Sequence, residues 1–248
     1  MSDNRHWRDS FRVEGFPDGR IPLSQIDAES FHLGAQITYV GERTGLESRL
    51  SDTALAEIRT VEPCDLAVTD LASVPAVFQW LVGRYGVHTP AALVHDALIG
   101  QPERLPEGMT EAHADRYFRF MLEDLGVPWL RRWLIWTAVA LRTRWFAEAT
   151  PGWKRPRWWL ALWVAASVAG MVAVVRAGID TDWNRMVIAL LMPIPAAALW
   201  GRQYGAGLIA AYTAPWVLPP AAVGLAGFGF YWLLERIAGR VRRLFGGA

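Results

Sequence analysis

AGLIAAYTAPWVLPPAAVGLAGFGFYWLL, residues 206–234, is twenty-nine residues long and contains no charged side chain. A second uncharged run of eighteen residues, WWLALWVAASVAGMVAVV, covers 158–175. A helix rises ~1.5 Å per residue, so about twenty apolar residues cross the ~30 Å hydrocarbon core of a bilayer. A soluble helix keeps one face for water and rarely stays uncharged over such a length. Residues 151–248 therefore read as an α-helical transmembrane region, and the rest of the chain must work beside a membrane.

Charge divides the chain at the same place. Residues 1–157 hold 18 Lys and Arg against 21 Asp and Glu, a net charge of −3; residues 158–248 hold 7 Arg against 3 acidic residues, a net of +4. Of the 14 Trp, Trp158, Trp159, Trp163, Trp183, Trp200, Trp216 and Trp232 fall in the hydrophobic third, mostly near the ends of its apolar runs. Trp favours the headgroup level, where one edge of the ring is wet. The single cysteine, Cys64, excludes an intramolecular disulfide and a thiolate zinc site. The opening Met1–Asp9 is polar and has no apolar core of a signal peptide.

Arg142, Arg144, Lys154, Arg155 and Arg157 precede the first apolar run, and Arg236, Arg240, Arg242 and Arg243 follow the last. The positive-inside rule puts both ends on the cytoplasmic side of the inner (cell) membrane and favours an even number of spans. Spans are expected near 158–175 and 206–234, with Met186–Trp200 as a shorter candidate interrupted by Pro193 and Pro195. Either 186–200 does not cross, or Pro219 and Pro220 break the last run into a hairpin. No Asp, Glu, Lys or Arg lies inside these runs, which removes the usual groups of a proton relay and favours an anchor. Gly224, Gly227 and Gly229 with Ala221, Ala222 and Ala226 offer a small-residue face for self-association of membrane helices. The expected partner is the lipid bilayer. The slightly acidic polar part argues against nucleic acid.

The polar part reads as a lead-in over residues 1–30, then an α+β domain over 31–150: short strands followed by three or four helices. Residues 32–40 suit a strand, and 51–59 a strand or a short helix. Any strand within 60–68 is short because of Pro63. Val77, Phe78, Leu81 and Val82 recur at helical spacing from Val74 onward. Pro90 suits the first turn of a helix over 91–99. Thr110 lacks the Glu or Gln three residues on that completes a capping box, since His113 stands there, yet Thr110 and Glu111 suit a helix start. That helix ends at Gly126, and a further one covers 129–145, packed on the domain or lying on the membrane surface.

Three pieces could carry chemistry: the loop Thr69-Asp70-Leu71-Ala72-Ser73-Val74-Pro75, the dipeptide His95-Asp96, and Ala114-Asp115-Arg116. His95 and Asp115 fall on successive helices whose short connection favours antiparallel packing. A His facing an Asp in this way is a general base with its orienting carboxylate, or equally a satisfied structural pair. Asp96 points about 100° away round the helix, where it suits a hard cation or a bond to the 69–75 loop. No phosphate-binding Gly-Lys loop, dinucleotide Gly pattern or nucleophile elbow is present.

The order Tyr39, Thr69–Pro75, Gly83, Tyr85-Gly86, Pro90-Ala91-Ala92, His95-Asp96 and Ala114–Phe118 resembles, over roughly residues 30–145, a phage and prophage family catalogued as domain of unknown function 1353. The resemblance implies a phage-type domain of unassigned activity, here with an appended membrane segment. His95-Asp96 and Asp115 are also similar to the helices of phospholipase A2. That resemblance implies a cation-dependent hydrolase with His95 as base, Asp115 as orienter and Asp96 as calcium ligand. Ile99 stands where that enzyme has Tyr, the flanking cysteines are missing, and no Gly-rich calcium loop precedes the helix. His-Asp metal phosphohydrolases need wider spacings than His88, His95-Asp96 and Asp115 provide. The environment of His95 separates the two readings. An open cleft favours an enzyme; a sealed His95 bonded to Asp115 favours a non-enzymatic membrane protein of the phage type, acting at the envelope or in assembly.

Overall fold

The computed structural model describes residues 9–28, 30–41, 50–66, 68–69, 82–83, 85–100, 105–107, 109–146 and 158–245. The helix read from Val74, and the loop residues Asp70 and Ser73, lie outside these. The chain is an α+β domain of short strands and helices followed by apolar helices. Strands β1 (Phe11–Val13), β4 (Ile37–Tyr39) and β5 (Thr60–Val61) form an antiparallel sheet with β4 in the middle; β2 (Leu23–Gln25) and β3 (Phe31–Leu33) pair separately. The register sets Phe11 opposite Tyr39 and Ile37 opposite Val61. Each of these four side chains is buried, so one face of the sheet lies on the core.

One sequence expectation changes here and another is resolved. Residues 1–30 are no mere lead-in, because β1 and β2 fall inside that range and Phe11 and Val13 enter the core. Strands of three residues carry too few alternations for a period-two pattern to show. The stretch 51–59 resolves as helix α1 (Asp52–Arg59), started by Ser51, whose hydroxyl accepts from the Ala54 N–H at 3.3 Å.

Helix α2 (Thr89–Gly100) is buried on nearly every side, from Thr89 through His95 and again at Ala97 and Leu98. Helix α3 (Glu111–Asp124) packs against it through Ala114, Tyr117, Phe118, Met121 and Leu122. His113 supplies what the capping box lacked, since its Nδ1 accepts from the Thr110 N–H at 3.1 Å. Gly126, at φ 68°, closes α3. Its N–H reaches the Glu123 carbonyl at 2.9 Å, and the Val127 N–H reaches that of Leu122 at 3.0 Å. The turn delivers the chain into α4 (Trp129–Phe146), which packs on α3.

Two helical segments, Trp158–Ile179 and Trp183–Gly201, are long and apolar enough to cross a bilayer. The first is helix α5. The second comprises α6 (Trp183–Leu191), α7 (Pro193–Ala197) and most of a 3-10 turn (Ala198–Gln203). Helix α8 (Tyr204–Phe245) bends by 71° between Tyr204–Ala214 and Pro219–Arg240, and taken as one span it would make a third. Pro219 and Pro220 lack the N–H that would continue the ladder, which accounts for the bend. The Tyr204 and Tyr212 hydroxyls donate to the Ile194 and Leu190 carbonyls, at 3.0 and 2.6 Å. They staple the first half of α8 to the broken segment. Beyond the bend Val223, Leu225, Phe228, Phe230 and Leu233 are exposed, a surface suited to lipid rather than water. Gly207 permits a close approach, since a Cβ there would lie 2.5 Å from the Trp200 ring.

His88 is sealed at the start of α2, with Nε2 donating to the Gly83 carbonyl at 3.0 Å. Burial holds its pKa below the usual 6.5. The unfolded chain therefore takes up this proton first as pH falls. The stability that neutral His88 contributes is present above pH 6.5 and is lost on acidification below it. We expect the stability of the protein in detergent to fall from pH 7 to 5 more steeply than that of His88→Gln. The difference in slope should be at most about 1.4 kcal/mol per pH unit, the limit for one proton. Parallel pH profiles of thermal unfolding would refute this.

Candidate functional site

Because α2 is buried all round, His95 points into the protein rather than to a surface, and the neighbouring α3 sets Asp115 against it. His95 Nε2 lies 2.9 Å from Asp115 Oδ1. A carboxylate only accepts, so Nε2 carries the hydrogen in this pair. The Thr143 hydroxyl, from α4, donates to the same oxygen at 3.0 Å. The Gln203 amide, from the turn before α8, donates to Oδ2 at 2.7 Å. His95 is 3% exposed and Asp115 0%. The Phe118 ring lies beside the imidazole at 5.0 Å between centroids. Three donors from three segments thus converge on one sealed carboxylate. Burial, and next the Asp115 charge, raise the pKa of Glu111 one turn away.

The expected pair of His95 and Asp115 is brought together, and of the remaining motif residues the described Asp96 and Thr69 bond to each other instead. Asp96 turns to the 69 loop, where the Thr69 hydroxyl donates to its carboxylate at 3.4 Å. Thr69 itself is tied to β3 by two backbone bonds with Phe31, at 2.8 and 2.9 Å. Among the described residues no three His, Cys, Asp or Glu side chains converge as a metal site. A cavity bounded by Glu57, Ile58, Thr60, Val61, Ala97 and Leu98 holds about 10 Å³, room for about one water. None of its six walls is His95, Asp115 or Asp96.

Thr143 and Gln203 escaped the sequence reading. Thr143 sits between Arg142 and Arg144, where a hydroxyl draws no notice, and Gln203 stands just ahead of the long uncharged run. An amide at the mouth of an apolar helix, with no charged neighbour beyond it, was the available signal. Around these residues the domain and the apolar helices share a second core. Trp136 and Ala140 of α4 meet Leu160 and Trp163 of α5, Trp200 of the 3-10 turn, and Ala206 and Ala211 of α8. Arg144 Nη2 donates to the Leu199 carbonyl at 2.7 Å, a second tie across the same junction. The helix 129–145 therefore packs on the domain and on the apolar helices together.

A separate polar latch holds the sheet to the end of α3. The Tyr39 hydroxyl donates to the Asp124 carboxylate, and the Ser10 hydroxyl donates to the Asp124 carbonyl at 3.1 Å. Burial, then the bond to Asp124, raises the Tyr39 pKa, so the phenol stays neutral and donates.

The class these features define is a small α+β domain whose buried carboxylate is closed by a side chain from an apolar helical region. Residues 54–139 match the family described as "Protein of unknown function (DUF1353)". The match takes in His95, Asp96 and Asp115 and is narrower than the resemblance carried by the sequence motifs. Thr143 and Gln203 lie beyond it, so two of the three donors to Asp115 come from outside the matched segment. No curated protein and no solved structure gives a significant match to the chain.

Thr143→Val keeps the shape of the side chain and removes one donor from a sealed carboxylate. It should lower stability by about 1.5–3 kcal/mol, the range for hydrogen bonds to charged groups. Thermal unfolding in detergent checks this, with the exposed Arg116→Gln as control, and an unchanged melting point would rule the hydrogen bond out as a stabilising contact.

Proposed function

We propose that this chain is a non-enzymatic membrane-anchored protein of the phage or prophage type, acting at the cell envelope or in assembly. In this reading His95 and Asp115 lock the domain onto its membrane helices. The observation that carries it is the closure of Asp115 by three donors, one of them Gln203 from the helical region, with His95 sealed behind Phe118. A general base has to reach its substrate or a water, and the burial of His95 leaves little access for either. The apolar helices supply the anchor, in the inner membrane, with the domain and both termini on the cytoplasmic side as the flanking arginines favour. The family match adds kinship without a reaction.

Four measurements test the proposal together. The protein should stay in the membrane pellet after alkaline carbonate, and a reporter fused at residue 248 should read cytoplasmic. Purified protein given calcium and phospholipid vesicles should release no fatty acid, while His95→Ala should melt at a lower temperature than wild type. Fatty acid release that is abolished in a stably folded His95→Ala variant would overturn the structural reading in favour of the phospholipase-like hydrolase. Extraction by carbonate would overturn the anchor.

A further inference from the structure

Helix α3 presents a cationic and aromatic cluster on the side opposite its core residues. The Arg119 guanidinium lies 4.2 Å from the centroid of the Trp133 ring and 5.0 Å from that of Trp136. Arg116 and Arg119 both stand over Phe120, at 5.8 and 5.6 Å. The nearby Glu123 is already engaged with Arg132 at 3.3 Å. Among the described residues no carboxylate lies within ion-pair distance of Arg116 or Arg119. Burial, then the charges of Arg116 and Arg132, lower the pKa of Arg119, and Glu123 offsets this only in part, so three arginines share one nearby carboxylate.

The position of this cluster relative to the apolar helices narrows what can match it. Trp136 packs in one core with Leu160 and Trp163, the third and sixth residues of α5. At ~1.5 Å per residue, Trp163 is about 7.5 Å along that helix, a depth of the headgroup region. Trp133 and Trp136 both come within about 4 Å of a Cβ placed on Gly205, at the start of α8. Trp129 and Leu130, one turn earlier on α4, are 65% and 57% exposed and extend the apolar stripe outward from the same mouth. Arg119 therefore stands on indole rings at the level where the apolar helices begin.

We propose that Arg116 and Arg119, set on Trp133 and Trp136, bind the phosphate headgroup of an anionic phospholipid from the leaflet facing the domain. A planar guanidinium offers paired N–H donors to phosphate oxygens while its face stays on the indole. Arg116 is exposed and steers the headgroup; Arg119, half-buried, receives it. This rests on the membrane placement proposed above, and the two fail differently. A protein that does not reconstitute into vesicles contradicts the placement, whereas one that reconstitutes without lipid preference contradicts the site.

The test uses full-length protein reconstituted in phosphatidylcholine vesicles with spin-labelled phosphatidylglycerol or spin-labelled phosphatidylcholine. The motionally restricted fraction of each is read by electron paramagnetic resonance. Wild type should retain phosphatidylglycerol over phosphatidylcholine, and Arg116→Gln and Arg119→Gln should each cut the ratio by about fivefold or to parity, as expected of one basic group at an anionic surface. Arg116→Gln alters an exposed side chain and keeps the test valid if Arg119→Gln fails to fold. Arg20→Gln, whose charge is already matched by Asp18, should leave the ratio unchanged. Equal retention of the two lipids, a ratio unmoved by Arg116→Gln, or displacement of the lipid by inorganic phosphate would overturn the proposal.

Discussion

A carboxylate removed from water must have its charge answered by nearby donors, and Asp115 sets that condition for the rest of this molecule. Its two oxygens receive an imidazole N–H, a hydroxyl and an amide, from residues 20, 28 and 88 positions away along the chain. Local structure alone cannot bring such residues together. Helix α2 has to be buried for His95 to face inward, α4 has to lie along α3 for Thr143 to arrive, and the turn at Gln203 has to return to the domain after two apolar segments. An unsatisfied carboxylate in this position would cost several kcal/mol, so each of these placements is enforced by the others.

A buried charge held this way is a poor source of net stability and a strong constraint on geometry. Here it fixes one arrangement of domain against the apolar helices. The indole-rich core around Trp136, Trp163 and Trp200 supplies the burial that holds this arrangement, and Arg144 on the Leu199 carbonyl adds a tie at its edge. In the proposed reading this site is architecture, with the groups that would form a base and its orienter joining two parts of the chain. The same junction carries the Arg116 and Arg119 cluster, whose Trp133 and Trp136 also approach the start of α8.

Much of this was legible in the sequence because the signals were long. Uncharged runs marked the apolar helices, and the 3.6-residue pattern with Pro90, Thr110 and Gly126 marked the ends of α2 and α3. Two helices joined by a short connection placed His95 opposite Asp115. What escaped was short or nonlocal. The three-residue strands β1 and β2 gave no period, and His113 acted as a cap partner where Glu is the usual sign. Thr143 and Gln203 carried no pattern at all, since their role exists only once separate helices meet. Pro219-Pro220 marked a place where the last run could fold into a hairpin, and α8 bends there by 71°; the packing of its first half on α4 had no signature in that uniformly apolar segment.

The most direct test of a carboxylate that couples the domain to the apolar helices is a double-mutant cycle on Asp115→Ala and Gln203→Ala. Stability is measured by thermal and denaturant unfolding of the full-length protein in detergent. The structure predicts that the two losses are not additive, with a coupling of about 1–3 kcal/mol, as expected for groups in direct contact in one hydrogen-bonded network. Additivity within about 0.3–0.5 kcal/mol, the behaviour of independent sites, would contradict the bond between Asp115 and Gln203 and with it the coupling of the domain to its apolar helices.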